Sequence, residues 1–398
     1  MSRIRAGMTP GERIKALREA AGLTQEQAAG LYGKSVSLWR KYERDERRPR
    51  ELASWMEIAR ILRVRDLSQL VGRPVSAMPR EPQEHESVSA IRNAMITVIS
   101  DADPVPGDEL GRSVEGLWDV WHAPTPWRYA RVGSELPGLI ALTAASLKAD
   151  RRSVSPAACM LYQLTRAYLK RVGARDLSLL AAERAIRCAE DADDPGLAAS
   201  AAWNMGQILS TQGHTEESRS VAADAARLLE RRLSDGGDLL AIFGALHQLC
   251  AIQSARLERP DEALRHLDVA ADAARTTGET NAYRTAFGPT NVAIHRASVE
   301  RELSRYGDAI RIAERTDVSA AASVERRVTH HLDLANSYAL RRNDVGAVAM
   351  LRRAFDASPE ELRLNSLART TVADLVDRET AATSAELRPL ARAVGVIE

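Results

Sequence analysis

The stretch LTQEQAAGLYGKSVSLWRKYE, residues 23–43, decides how this chain is read. Thr24 with Gln27 three positions later is a capping box, so a helix begins at Gln25. Gly33 breaks that helix, because glycine enters the left-handed backbone that a tight turn needs. Ser35 then caps a third helix running to about Glu43. Upstream, Thr9-Pro10 with Glu12 starts a first helix, Ile14, Leu17 and Ala21 recur at helical spacing, and Gly22 ends it. Downstream, Trp55, Ile58, Ala59 and Leu62 form the apolar stripe of a fourth helix over residues 50–62, and a short fifth covers residues 67–71. The outcome is a five-helix unit in which two helices are joined by a tight glycine-bearing turn.

Charge indicates what such a unit meets. The chain of 398 residues has a net charge of +1, which alone argues against a nucleic-acid partner. Residues 1–73, however, hold 16 Lys+Arg and nine Asp+Glu, a balance of +7, which leaves −6 for the remainder. A basic head on an acidic body is the asymmetry of a chain with one phosphate-facing domain. In a helix-turn-helix unit the N-terminal half of the second motif helix enters the major groove. Val36, Ser37, Arg40 and Lys41 are therefore the base-edge candidates. Gln25 and Ser35 sit at helix N-termini suited to phosphate, and Lys34, Arg44, Arg47 and Arg48 flank the reading helix as backbone contacts. Arg3 and Arg5 form a short basic arm, while Trp39 and Tyr42 are assigned to the domain core.

The run Leu23-Thr24-Gln25, Ala28, Gly33, Ser35, Ser37, Trp39 and Tyr42-Glu43-Arg44 resembles the XRE family of lambda-repressor/Cro-like domains. It departs from that pattern at Lys34, where an apolar residue is usual, and at Tyr42, where Trp is common. The resemblance implies sequence-specific binding to double-stranded DNA.

Pro74, Pro79 and Pro82 mark a semi-stiff linker over residues 74–86. From residue 87 to 398 the chain is Ala/Leu-rich at helical spacing, with almost no strand alternation. Several stretches align: Arg166 before Ser178, Gly206 before Ser218, Ala251 before Ala263, Ala297 before Ala309, Ala335 before Ala347. The second positions step by 40, 45, 46 and 38 residues. Small residues at such paired positions let antiparallel helices approach closely, and stacked pairs make a superhelix with a concave face. This is similar to the tetratricopeptide repeat, with longer helices or loops. The expected fold class is all-α, a five-helix helix-turn-helix domain followed by a tetratricopeptide-like α-solenoid.

In such a solenoid the first helix of each pair lines the concave groove. Gln163, Trp203, Asn204, Gln207, Gln248, Asn291 and Asn336 are the candidate ligand contacts, since amides both donate and accept to a peptide backbone. Trp118, Trp121 and Trp127 fall within ten residues and are read as a packed corner. His330-His331 with Asp333 lacks a further ligand at metal spacing. Cys159, Cys188 and Cys250 are scattered, which argues against a disulfide scaffold or structural zinc and for a reduced, cytoplasmic setting. No run of 18 apolar residues predicts a membrane span, and no nucleotide, zinc-protease or serine-hydrolase motif is present. No enzyme activity, cofactor or metal is therefore expected.

Taken together, the architecture resembles the peptide-pheromone-responsive regulators of Gram-positive bacteria. That resemblance implies a homodimer on an inverted-repeat operator, controlled by a signalling peptide or other small ligand in the groove. The competing expectation is a DNA-anchored protein whose repeats dock a protein partner, with no small ligand.

Overall fold

A computed structural model describes residues 8–397, apart from residues 50, 51, 65, 73–84, 98–100, 126, 320 and 322. The fold is all-α: no strand occurs among the described residues, and Thr280 and Phe287 form one isolated bridge.

The head consists of α1 (Pro10–Ala20), α2 (Gln25–Tyr32), α3 (Val36–Glu43), α4 (Leu52–Ile61) and α5 (Leu67–Val71). Its local grammar holds in detail. Thr9 and Glu12 form a capping box on α1, and Thr24 and Gln27 form one on α2. The Ser35 side chain accepts from the Leu38 amide to cap α3. Gly33, at φ +65°, turns the chain between the two helices. Trp39 and Tyr42 are buried with Ile14, Leu17, Ala28 and Ile58, so these aromatics serve the core. Most of the expected linker, residues 74–84, lies outside the described residues. His85, at its far end, packs edge-on against Tyr168 of the body.

The body opens with α6 (Ser87–Ile96), α7 (Gly107–His122) and α8 (Arg128–Ala149), which pack on one another and on the next helix. Five antiparallel pairs follow: α9 (Arg151–Arg171) with α10 (Arg175–Ala192), α11 (Pro195–Thr211) with α12 (Thr215–Leu229), α13 (Gly237–Arg256) with α14 (Pro260–Thr277), α15 (Pro289–Glu302) with α16 (Tyr306–Arg315), and α17 (Val324–Leu340) with α18 (Asp344–Ala357). Then α19 (Pro359–Leu364), α20 (Ser366–Val376) and α21 (Ala381–Ala393) close the array. α13 is long and apolar enough to cross a membrane by composition, yet 78% of that window is buried among its neighbours.

Each pair crosses where the sequence places its small residues. Ser178 Oγ donates to the Arg166 carbonyl at 3.0 Å, and Ser218 Oγ donates to the Gly206 carbonyl at 2.7 Å. In the later pairs Ala251 and Ala263, Ala297 and Ala309, and Ala335 and Ala347 are buried at the same crossing. A side chain at Gly206 would meet Leu249 of the next pair, with its Cβ 2.7 Å from Cδ2. Seven residues after each first position the turn is left-handed, at Gly173, Gly213, Glu258, Ser304 and Arg342. Glycine fills that position in two repeats and larger residues in three.

Trp118 and Trp121 are buried with Tyr129 and Tyr168 beneath the first pair, as a packed corner requires. Trp127 is not part of it; its side chain is exposed beside the break that separates α7 from α8. Arg128 joins the two ends of the body. It is buried, stacks over Trp121 and Tyr129, and forms an ion pair with Glu361 on α19. Tyr129 Oη donates to the same carboxylate at 2.6 Å, and Arg171 reaches its other oxygen at 3.0 Å.

Candidate DNA-reading surface and ligand groove

A single carboxylate sets the angle between the two motif helices. Glu43, buried at the end of α3, accepts from Arg18 Nε at 2.5 Å, Gln25 Nε2 at 2.7 Å and Trp39 Nε1 at 2.7 Å. Burial pushes this carboxyl up, but the bonds from Arg18, Gln25 and Trp39 outweigh it and hold Glu43 below the ordinary carboxylate range. Gln25 in turn accepts from Arg40 Nε at 3.1 Å, so the guanidinium stands ready at the front of α3.

Lys34, Ser35, Ser37, Arg40 and Arg44 are exposed, Gln25 and Lys41 are half-buried, and Val36 packs partly on the head's core. Arg40 pairs loosely with Glu26 at 3.2 Å and Arg44 with Glu46 at 3.2 Å, both on open surface where such pairs yield readily. Arg3 and Arg5 lie outside the described residues.

No local sequence signal announces that Ser37, Lys41, Arg47 and Arg48 are already engaged by the body. Lys41 Nζ lies 2.9 and 3.0 Å from the two oxygens of Glu258, in the turn after α13, and Ser37 Oγ donates to the same carboxylate at 3.0 Å. Arg47 pairs with Glu302 at 3.2 Å and approaches Glu258 at 3.6 Å. Arg48 pairs with Asp374 at 2.8 Å, and Tyr306 Oη donates to the Glu46 carbonyl. The basic head thus sits on carboxylates of the acidic body. Glu258 holds its place at φ +62°, a conformation that disfavours any residue but glycine.

The second site is a narrow cleft between helices of the body, open to solvent. α7, α9 and α11 form its floor, and residues 283–286 and 323–326 form its rim. Gln163, Trp203, Asn204 and Gln207 of the expected set meet here. The other three do not. Gln248 and Asn291 are buried and bond to each other at 3.2 Å, while Asn336 bonds to Thr371 beside Arg48 of the head. The reason is the connection between α14 and α15, which folds back into the groove. Phe287 fills the space left by Gly244 on α13, and the Tyr283 hydroxyl enters the space left by Gly196 on α11. Tyr283, Arg284 and Ala286 all take left-handed backbone to achieve this.

The cleft is strongly cationic. Arg166, Lys170, Arg171, Arg284 and Arg326 line it against one carboxylate, Glu325. Burial, then the neighbouring Arg171 and Arg166, pull Lys170 down from 10.5 to about 7. Between about pH 7 and 10 the unfolded chain therefore holds a proton that the folded chain has released, so folded stability rises with pH across that window. Replacing Lys170 with methionine should flatten that slope, raise the thermal midpoint at pH 6.5 and stabilise the fold there by an amount on the order of 2 kcal/mol, given the partial exposure of the side chain. Thermal melts of both proteins from pH 6 to 10 check this.

Residues 11–71 match a family model described as a helix-turn-helix domain. The head is a helix-turn-helix DNA-binding domain. Among solved structures, the chain is similar to a Rap protein complexed with competence and sporulation factor, at 14% identity over 73% of this chain and 88% of that one, with a TM-score of 0.46. It is also similar to PlcR of Bacillus thuringiensis in complex with the peptide PapR7 and DNA, at 15% identity over 67% of this chain and 95% of that one, with a TM-score of 0.30. No curated protein matches.

Proposed function

We propose that this chain is a transcription regulator whose helical-repeat body holds the reading helix off DNA until a ligand occupies the groove. The observation that carries this reading is Glu258, whose carboxylate takes the Lys41 ammonium and the Ser37 hydroxyl that DNA would otherwise engage. A side chain cannot serve both partners, so docked and DNA-bound heads exclude one another. A ligand that favours the undocked arrangement shifts the population toward DNA.

A series of contacts leads from the helix that floors the groove to the head. Ser210, one turn beyond Gln207 on α11, accepts from Arg256 at 2.6 Å, and Arg256 reaches Glu302 at 3.4 Å, the partner of Arg47. On the operator two copies would read an inverted repeat, with half-sites about 34 Å apart. No catalytic step belongs to this reading.

Genome-wide binding of the tagged chain, beside a variant carrying Arg40→Ala and Lys41→Ala, tests it. Sharp peaks over an inverted repeat that vanish in the variant are expected. Peaks that persist in the variant would mean that α3 is not the reader.

A further inference from the structure

The groove carries more positive charge than the protein itself neutralises. Arg171 is held by Glu325 and Glu361, and Arg284 by Glu115 and Asp119. Arg166, Lys170 and Arg326 have no carboxylate within ion-pair distance among the described residues. Lys170 reaches only the Gln207 amide oxygen at 3.4 Å, and Arg326 only the Thr285 carbonyl at 3.4 Å. Arg166 is 5% exposed and its Nε has no partner. It occupies the crossing position that Gly206, Ala251, Ala297 and Ala335 fill in the other pairs. A guanidinium there has no packing rationale, since the crossing asks for a small residue.

Two acceptors beside these cations are also unsatisfied. Gln163 Oε1 and Asn204 Oδ1 are buried without a hydrogen-bond donor. Buried polar groups left unpaired are costly, and a cluster of them around one cavity marks what a ligand must supply. The cations ask for a carboxylate and the amide oxygens ask for N–H groups. Trp118 and Trp203 offer an apolar wall to whatever lies between.

We infer that the groove binds an N-acylated amino-acid carboxylate, with the carboxylate on Arg166, Lys170 and Arg326 and the adjacent amide N–H on Gln163 or Asn204. This rests on the groove reading above and specifies which end of a ligand enters it. The same chemistry occurs at the C-terminus of a short peptide and in a free N-acyl amino acid. Lys170, pulled down to about 7 chiefly by burial, would regain its full charge against such a ligand.

The test uses the full-length protein. Its thermal midpoint is read with N-acetylglycine, with N-acetylglycinamide and with inorganic phosphate, each against sodium chloride of equal ionic strength. In parallel, two pools of N-acetylated random tetrapeptides, one ending in a carboxylate and one in a carboxamide, are dialysed against the protein and the retained species are weighed. N-acetylglycine should raise the midpoint and its amide should not. The carboxylate pool should be retained at least tenfold over the amide pool if the source is a peptide, whereas a shift with N-acetylglycine and no retained tetrapeptide assigns the small acyl amino acid. Both effects should disappear in the variant Arg166→Gln with Lys170→Met, which should melt no lower than the wild type. Equal retention of the amide pool overturns the anionic assignment and leaves the groove reading standing. A larger shift with phosphate than with N-acetylglycine overturns the carboxylate, and a variant that melts far lower makes the cations structural. No shift and no retention with any probe overturns the groove reading as well.

Discussion

Replacing Glu258 with glycine should tighten DNA binding by the full-length chain about fivefold while leaving its thermal midpoint unchanged or slightly higher. Two opposing terms meet at this residue. The carboxylate holds Lys41, Ser37 and, more distantly, Arg47, which keeps the head on the body. It does so from a left-handed backbone that costs a non-glycine residue about 1 kcal/mol. Glycine stands at the equivalent turn in the first two pairs, as Gly173 and Gly213, so the substitution suits the fold. The part-buried ion pair is worth roughly as much as the strain it imposes. Stability therefore changes little, but the docked state loses its main contact to α3. Each 1.4 kcal/mol removed from docking raises the competent fraction, and with it apparent affinity, by about tenfold. Fluorescence anisotropy with an operator duplex measures the effect. Glu217→Gln, which removes an exposed charge on α12, is the control for general electrostatics and should leave affinity within about twofold.

The second large effect concerns stability. Glu361→Ala should cost about 3–5 kcal/mol, visible as a fall of several degrees or more in the thermal midpoint. Arg128 and Glu361 are both buried, and among the described residues no other carboxylate lies within ion-pair distance of Arg128. Removing the acid strands a guanidinium between Trp121 and Tyr129 and leaves the Tyr129 hydroxyl without its acceptor. Arg171 loses one of its two carboxylates in the same step, so the loss reaches the edge of the groove. Glu361→Gln keeps the shape and an acceptor oxygen, so it should recover part of the loss. A Glu361→Ala protein that melts with the wild type would show that the network contributes nothing net.

Most of the head was legible in its sequence because its determinants are local. Thr9 with Glu12, Thr24 with Gln27, and Ser35 with the Leu38 amide act across three residues, and Gly33 acts on its own backbone. The repeats were legible for a related reason, since close crossing of two helices forces small residues at a fixed interval of 12. The latch was not. Lys41 and Glu258 are 217 residues apart, and Arg128 and Glu361 are 233 apart. Their meeting depends on the accumulated rotation of the whole array, which no window of sequence contains.

The groove was half legible. Helical phase brought Gln163, Trp203, Asn204 and Gln207 together, yet the same phase placed Gln248 and Asn291 against each other once Phe287 filled the space beside α13. One signal was available. Residues 278–288 form the longest connection between successive pairs, with glycine at each end, against 230–236 before α13 and 316–323 before α17. Arg166 was likewise visible as the single large residue in a column of small ones, but its charge pointed to nothing until Lys170 and Arg326 stood beside it.

The latch and the reading helix are tested together by selection of bound duplexes from a random DNA library by three full-length proteins: the wild type, Glu258→Gly, and Glu258→Gly with Arg40→Ala. One inverted-repeat consensus is expected, weakly enriched by the wild type, strongly by the glycine variant, and lost when Arg40 is removed. Equal enrichment by the first two proteins would contradict the latch, and a consensus that survives loss of Arg40 would contradict α3 as the reader.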